Sequence, residues 1–147
     1  MSLAQSLLPE FDHEMAAARR TLERVPMEKT SWKPHPKSFS LGDLANHLAR
    51  IPGWTAPTLT MDSLDLAPEA GQFQEPPLAG TTADLLAFFD AQVAEARQAL
   101  SATSDQPFYA PWTLQTAGKA HFTMPRIAVF RSFIMNHLIH HRAQLGV

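Results

Sequence analysis

The sequence has 147 residues, of which 45% are hydrophobic, and a formal net charge of −2 at neutral pH. This length is typical of one domain, and the apolar content is sufficient for one hydrophobic core, so we expect a single domain over residues 1–147. The sequence contains no apolar run of membrane-spanning length, no basic and apolar signal sequence at its start, and no basic cluster. These features disfavour membrane insertion, export and nucleic-acid binding, and the expected compartment is the cytoplasm.

The chain contains no cysteine and seven histidines. The absence of cysteine excludes disulfides and a protein thiol nucleophile. Any metal ion must therefore be held by histidine, carboxylate or water. The positions of the histidines relative to the apolar pattern decide whether they are candidates for such a site.

Apolar residues at 3- and 4-residue spacing predict four amphipathic helices near residues 3–25, 41–62, 82–102 and 124–145. Pro52 and Gly53 are expected to kink or weaken the second helix. The two long connections lack helical periodicity, and strand content, if any, is expected only between residues 105 and 123, as a short hairpin around a TAGK turn. The predicted fold class is all-α, a four-helix bundle with long inter-helix connections. The sequence leaves open whether the last helix ends the protein at Val147.

Two histidines occupy apolar positions of the last helix. Ile127, Phe130 and Ile134 define the stripe that a bundle helix turns inward, and the next two positions of that stripe are His137 and His141. An i, i+4 pair of neutral imidazoles can hold one ion from one helix face. The alternatives are two hydrogen-bonded core histidines, or a helix rotated so that both histidines face solvent.

A third histidine occupies the same kind of position in the second helix, where Leu44, His47, Ile51 and Trp54 lie on one line. A buried imidazole with an unpaired ring nitrogen costs roughly 1–3 kcal/mol, and three such residues that bind one metal ion remove this cost together. Bundle interiors commonly hold metal sites, and three histidines leave coordination positions open, as in catalytic sites.

Other polar and aromatic residues have simpler explanations. Asp43 is expected to form a capping box with Ser40, although a role beside a metal ion remains open. His140 lies about 100° around the helix from His141 and is expected at the surface or beside the site. Trp32 is expected to pack as a lid over the core, because exposed tryptophan is uncommon. Three further histidines are expected to be exposed or structural: His13, His35 and His121.

Two segments, SLGDLANHLARIPGW and NHLIHHRAQL, together with the WKPHPKS loop, resemble the DinB/YfiT-like metalloproteins, which are unrelated to the DNA polymerase of similar name. The histidine triad of that family corresponds here to His47, His137 and His141, followed by Arg142. Ala143 stands where the family usually has glycine, a change that leaves the ligands intact. The resemblance implies an up-and-down bundle that binds a divalent metal ion.

The family includes transferases of low-molecular-weight thiols such as bacillithiol, and a mycothiol-dependent isomerase. The resemblance therefore implies a zinc or nickel enzyme in which the metal lowers the pKa of a thiol cosubstrate, which then reacts with a small-molecule substrate. The alternatives are a non-catalytic, stress-associated bundle that binds metal or a small ligand, and a metal-dependent hydrolase, although HLIHH lacks the glutamate of HExxH. The candidates for residues beside the metal or in its pocket are Asp43, Trp54, His140 and Arg142.

Members of the family are often homodimers, and this chain is expected to form one. Leu3, Leu7 and Phe133 lie outside the predicted apolar stripes and are expected to be exposed, as an interface would require.

Overall fold

Side-chain caps determine where three of the helices begin. Ser40 Oγ accepts the N–H of Asp43, and the Asp43 carboxylate accepts the N–H of Ser40, which is the predicted capping box. Ser2 forms a capping box with Gln5 at the start of the first helix, and Thr81 Oγ1 accepts the N–H of Asp84 at the start of the third long helix. The local sequence therefore fixes these helix starts.

The computed structural model describes residues 1–67 and 78–147. The helices are α1 (Leu3–Leu22), α2 (Leu41–Arg50), α3 (Thr55–Thr60), α4 (Thr82–Ala102), α5 (Arg126–Ala128) and α6 (Asn136–Leu145). A π-helical segment, Val129–Met135, joins α5 to α6, and the 3₁₀ turn Ile51–Trp54 joins α2 to α3. The strands are β1 (Ser63–Asp65), β2 (Pro111–Thr116) and β3 (Lys119–Pro125).

Four helices pack around one core, as the apolar stripes predict. Helices α1 and α2 each contact α4 and α6. Phe11, Phe89, Phe130 and Ile134 are among the fully buried side chains at their centre. The predicted break in the second helix is also present, because Pro52 lacks the N–H that would continue the α-helical ladder.

The all-α prediction is wrong, because the chain also forms a three-stranded mixed sheet in the order β1-β2-β3. Strands β2 and β3 are the predicted hairpin, and Ala117 and Gly118 at its tip both have positive φ, as a type I′ turn requires. Strand β1 pairs parallel to β2, with Leu64 opposite Leu114. It lies outside residues 105–123, to which strand content was predicted to be confined.

Strand β1 escapes sequence analysis because it has three residues, too few to show an alternating pattern, and its partner is distant in the sequence. One carboxylate joins it to the hairpin. Asp65 accepts the N–H groups of Ala67 at 2.9 Å, Ala117 at 2.9 Å and Gly118 at 2.8 Å. These hydrogen bonds lower the pKa of Asp65, the bond from Ala67 having the largest effect.

The sheet is also attached to the helices. Trp112, which is 1% exposed, donates its indole N–H to the carbonyl of Pro57 at 3.2 Å. Arg126 donates to the carbonyl of Met61 and to the carboxylate of Asp62, which ties the start of the last helix to the end of α3. The sheet is therefore held against one side of the bundle.

Two expectations about exposed residues are wrong. Leu7 belongs to the hydrophobic core at 8% exposure, and Leu3 and Phe133 are half-buried against that core. The predicted homodimer thus has no support from these side chains and stays a prediction. Trp32 is 57% exposed and does not pack as a lid, because its loop is held by backbone hydrogen bonds such as Leu41 N–H to Trp32 carbonyl.

Within residues 1–67 and 78–147, no helix combines the length and apolar character needed to cross a bilayer.

Replacement of Asp65 by alanine should destabilise the protein, because three backbone N–H groups lose their shared acceptor. Asp12→Ala is the matched control, since Asp12 pairs with the exposed guanidinium of Arg97 and such pairs contribute little. We expect the urea midpoint to fall clearly in Asp65→Ala and to change little in Asp12→Ala. Equal midpoints for the two variants would contradict the proposed link between β1 and the hairpin.

Candidate metal centre

Helices α2 and α6 bring three histidine rings to one point. His47 Nε2 and His137 Nε2 lie 3.2 Å apart. The ring of His141 is centred 4.7 Å from that of His47 and 4.6 Å from that of His137. One possible ligand atom from each ring lies within 4.8 Å of the others, and among the described residues this group could hold a metal ion.

Hydrogen bonds orient two of the rings from behind. His137 Nδ1 lies 3.2 Å from the carbonyl of Phe133, and His141 Nδ1 lies 2.6 Å from Gln144 Oε1. A carbonyl oxygen only accepts, so each Nδ1 carries the proton and each Nε2 keeps its lone pair. Metal-binding histidines are commonly held in this tautomer by such acceptors.

Burial keeps the three rings neutral. It is the largest cause of the lowered pKa of His47, to about 4, and repulsion from His141, His137 and Arg50 adds to it. The pKa values of His137 and His141 are also lowered, chiefly by burial. Because metal binding requires the neutral ring, protons compete little with a metal ion at neutral pH.

The donor set and its spacing fit a divalent metal ion. Zinc–imidazole bonds of about 2.0–2.1 Å in a tetrahedral site place two ligand nitrogens roughly 3.3 Å apart. The Nε2 atoms of His47 and His137 are 3.2 Å apart, close to that separation.

Aromatic side chains surround the three rings. Trp54 lies 5.8 Å from His47 and 5.4 Å from His137, between ring centres, and stacks on Phe133 at 5.1 Å. Phe39 stacks on His47 at 6.0 Å on the other side, although it is itself 57% exposed. These apolar walls lower the local dielectric constant and limit the access of water.

Two cavities lie near the histidine group. The smaller, of about 200 Å³, lies between α2 and the sheet and is lined in part by His47 and Trp54. The larger, of about 500 Å³, is lined by Trp32, Phe39 and Gln144. The smaller cavity thus reaches His47 directly, and the larger one lies beside Phe39 and Gln144, which contact His47 and His141.

The family model of the DinB superfamily matches residues 10–145. The chain belongs to the DinB superfamily. This confirms the family that the motifs around His47 and His141 indicate.

Solved structures of the DinB type share the fold. A DinB-like protein from Bacillus subtilis has a TM-score of 0.70 and 17% identity, over 95% of this chain and 86% of the other. A second, from Bacillus cereus, has a TM-score of 0.67 and 19% identity, over 96% and 87%. No curated protein matches the sequence. Identities this low support the fold alone.

The other residues predicted beside the metal have different surroundings. Trp54 contacts two of the rings, as described above. Asp43 is occupied by the capping box, where Ser40 Oγ donates to its carboxylate at 2.6 Å. The exposed ring of His140 lies 4.9 Å from that of His141. Arg142 points to α1, where it donates to the carboxylate and carbonyl of Glu14.

Three histidines predicted to be exposed or structural lie outside the histidine group that could hold a metal ion. His13, His35 and His121 are all exposed. His35 Nδ1 accepts the N–H of Lys37 at 3.1 Å, and His121 Nε2 lies 2.8 Å from Thr116 Oγ1. Neither contact involves the triad.

Sequence analysis missed four residues around the triad: Phe39, Arg50, Phe133 and Gln144. The spacing could have placed two of them beside the triad. Arg50 follows His47 by three residues, Gln144 follows His141 by three residues, and residues at this spacing share a helix face. Phe39 lies on an irregular loop and Phe133 in the π-helical segment. Neither position follows α-helical periodicity, so the spacing could not place them.

Alanine at His47, His137 or His141 should each abolish stoichiometric metal binding. Removal of a residue that only hydrogen-bonds to a metal ligand typically costs 10–100-fold in metal affinity. Removal of a ligand itself should therefore cost more than about a hundredfold. His13→Ala, His35→Ala and His140→Ala are the matched controls and should retain about one ion per chain. Elemental analysis after dialysis measures the metal content per chain. A similar, small loss of metal in all six variants would indicate that metal ions bind diffusely to surface histidines instead.

The metal-free protein should lose stability as the pH falls below about 6.5. The pKa of His47 is about 4 in the folded protein and 6.5 ordinarily, so between these values the unfolded chain binds more protons and protonation favours unfolding. The lowered pKa values of His137 and His141 act in the same direction. Urea midpoints should therefore fall less on acidification in His47→Gln than in the wild type or in His13→Gln. Identical pH profiles for the three proteins would contradict this account.

Proposed function

We propose that this DinB-superfamily protein is a metal-dependent enzyme that transfers a low-molecular-weight thiol to a small electrophilic substrate. The observation that carries the proposal is the convergence of three neutral imidazoles from two helices. In the described part of the chain, no aspartate or glutamate oxygen joins this group. Three protein ligands leave coordination positions for other molecules, which is typical of catalytic and not of structural sites.

A divalent ion at this centre would supply a Lewis acid that lowers the pKa of a thiol in its open coordination position. The chain itself supplies the orientation and the surroundings. The carbonyl of Phe133 and the side chain of Gln144 hold the rings of His137 and His141. Trp54 and Phe133 limit water around the rings, which favours reaction with an organic electrophile over reaction with water.

The two cavities support a reaction with two substrates. The smaller is lined by His47 itself, and the larger by Phe39 and Gln144, which contact the rings of His47 and His141. A transferase must hold a donor and an acceptor close together, because the high effective concentration of the two bound molecules then increases the reaction rate. A non-catalytic metal site has no need of either cavity.

The sulfur has to come from a small molecule, because the chain contains no cysteine. A reducing compartment such as the cytoplasm, which we propose as the location, keeps such thiols reduced. We propose zinc or nickel as the ion, since imidazole suits both. Hydrolysis is less well supported, because it would need a general base, and the described histidine group includes no carboxylate.

A cobalt-substituted protein tests the proposal. Bacillithiol, mycothiol and glutathione would be titrated separately, each with its S-methyl derivative as the matched control. We expect at least one thiol, but no S-methyl derivative, to produce a sulfur-to-cobalt charge-transfer band. The same thiol should be consumed with chlorodinitrobenzene as acceptor. His140→Ala should retain both signals and His141→Ala should lose both. A spectrum that no thiol changes would contradict the proposal.

A further inference from the structure

Among the described residues that line the cavity of about 200 Å³ between α2 and the sheet, Arg50 carries a formal charge, and it is 8% exposed. Apart from the metal-site residue His47, the other described lining residues are aliphatic or aromatic: Trp54, Leu64, Leu66, Leu114 and Phe133. A guanidinium in such a wall interacts strongly with anionic groups, because little water screens its charge.

Arg50 is positioned to act beside the metal centre. It follows His47 by three residues on α2, and neighbours at this spacing lie on one helix face. Arg50 already has an interaction within the protein. With five N–H donors in a planar fork, it can bind a second partner as well. The partner that best matches this fork is a carboxylate or another oxyanion.

We propose that this cavity binds the electrophilic substrate of the reaction, that Arg50 pairs with an anionic group on it, and that the substrate is a small, largely apolar anion. The role of this ligand as a substrate rests on the proposed function, whereas its binding in the cavity does not. The aliphatic and aromatic wall favours an apolar body and disfavours a sugar or another polyhydroxylated ligand. The volume is below the 300–1,000 Å³ of cavities for drug-sized ligands, which limits the ligand to about one ring.

The larger cavity then remains for the thiol. It is lined by Trp32, Lys37 and Phe39, and Phe39 stacks on the ring of His47. Among the described residues the two cavities share no lining residue, so both ligands can be bound at once.

Benzoate and benzamide form a suitable pair of probes, because they have the same size and shape but differ in charge. Isothermal titration would measure both against metal-loaded and metal-free wild type, Arg50→Met, Arg50→Lys and Arg24→Met. Arg24 is an exposed arginine outside this cavity and serves as the control. We expect the wild type to bind benzoate about tenfold or more tightly than benzamide, which is the range for a hydrogen bond to a charged group.

This preference should disappear in Arg50→Met, persist in part in Arg50→Lys and remain intact in Arg24→Met. It should also survive removal of the metal ion. If Arg50→Met does not fold, Leu64→Phe tests the cavity separately: it fills part of the volume and keeps the guanidinium, so it should weaken the binding of both probes.

Three results would overturn the inference: equal affinity for the two probes or no binding of either, a preference that Arg50→Met retains, or a preference that metal removal abolishes. In the last case the carboxylate would be bound to the metal ion and not to Arg50. A different result would contradict the proposed function alone. If the protein takes up no metal ion but still prefers benzoate through Arg50, the anion site is supported and the transfer reaction is not.

Discussion

The packing of α2 against α6 is the contact on which the candidate centre depends. It places the Nε2 atoms of His47 and His137 3.2 Å apart, with His141 one turn further along α6. Outer contacts hold this arrangement. Arg142 joins α6 to Glu14 of α1, and Gln144 fixes the ring of His141. The bundle thus stabilises three half-buried or buried imidazoles whose polar atoms would otherwise be costly to bury.

The sheet gives this centre its second wall. Leu64 of β1 and Leu114 of β2 line the small cavity opposite His47 and Arg50. These side chains enclose this side of α2 and lower the local dielectric constant, which strengthens the attraction between the guanidinium and an anion. The helices therefore account for the histidine group, and the sheet accounts for the enclosed space beside it.

Sequence alone predicts the features that depend on local spacing. The capping box at Ser40, the burial of Phe130 and Ile134 in the last apolar stripe and the hairpin tip at Gly118 each follow from nearby residues. The three histidines follow from the same stripes, since a polar residue at an apolar position requires an explanation. The family resemblance then selects the metal interpretation among the alternatives.

Features that depend on distant contacts escaped prediction. Strand β1 is defined by parallel pairing with residues about fifty positions away, and Leu7 is buried although it lies outside the predicted stripe. The π-helical segment Val129–Met135 changes the phase of the last helix, because each π turn takes one more residue than an α turn. Met135 and Leu138 are buried in the helical core although the predicted stripe omits them, and Val129 is buried against Trp112 and Leu114 of the sheet.

X-ray absorption spectroscopy of the metal-loaded protein tests the central claim, that His47, His137 and His141 hold one ion and leave it open to substrate. For zinc, the account predicts three imidazole nitrogens at about 2.0–2.1 Å, with the remaining positions filled by exchangeable light atoms from solvent. A sulfur ligand should replace one of these atoms when the active thiol is added. A fourth imidazole, or a shell of oxygen atoms alone, would contradict the account.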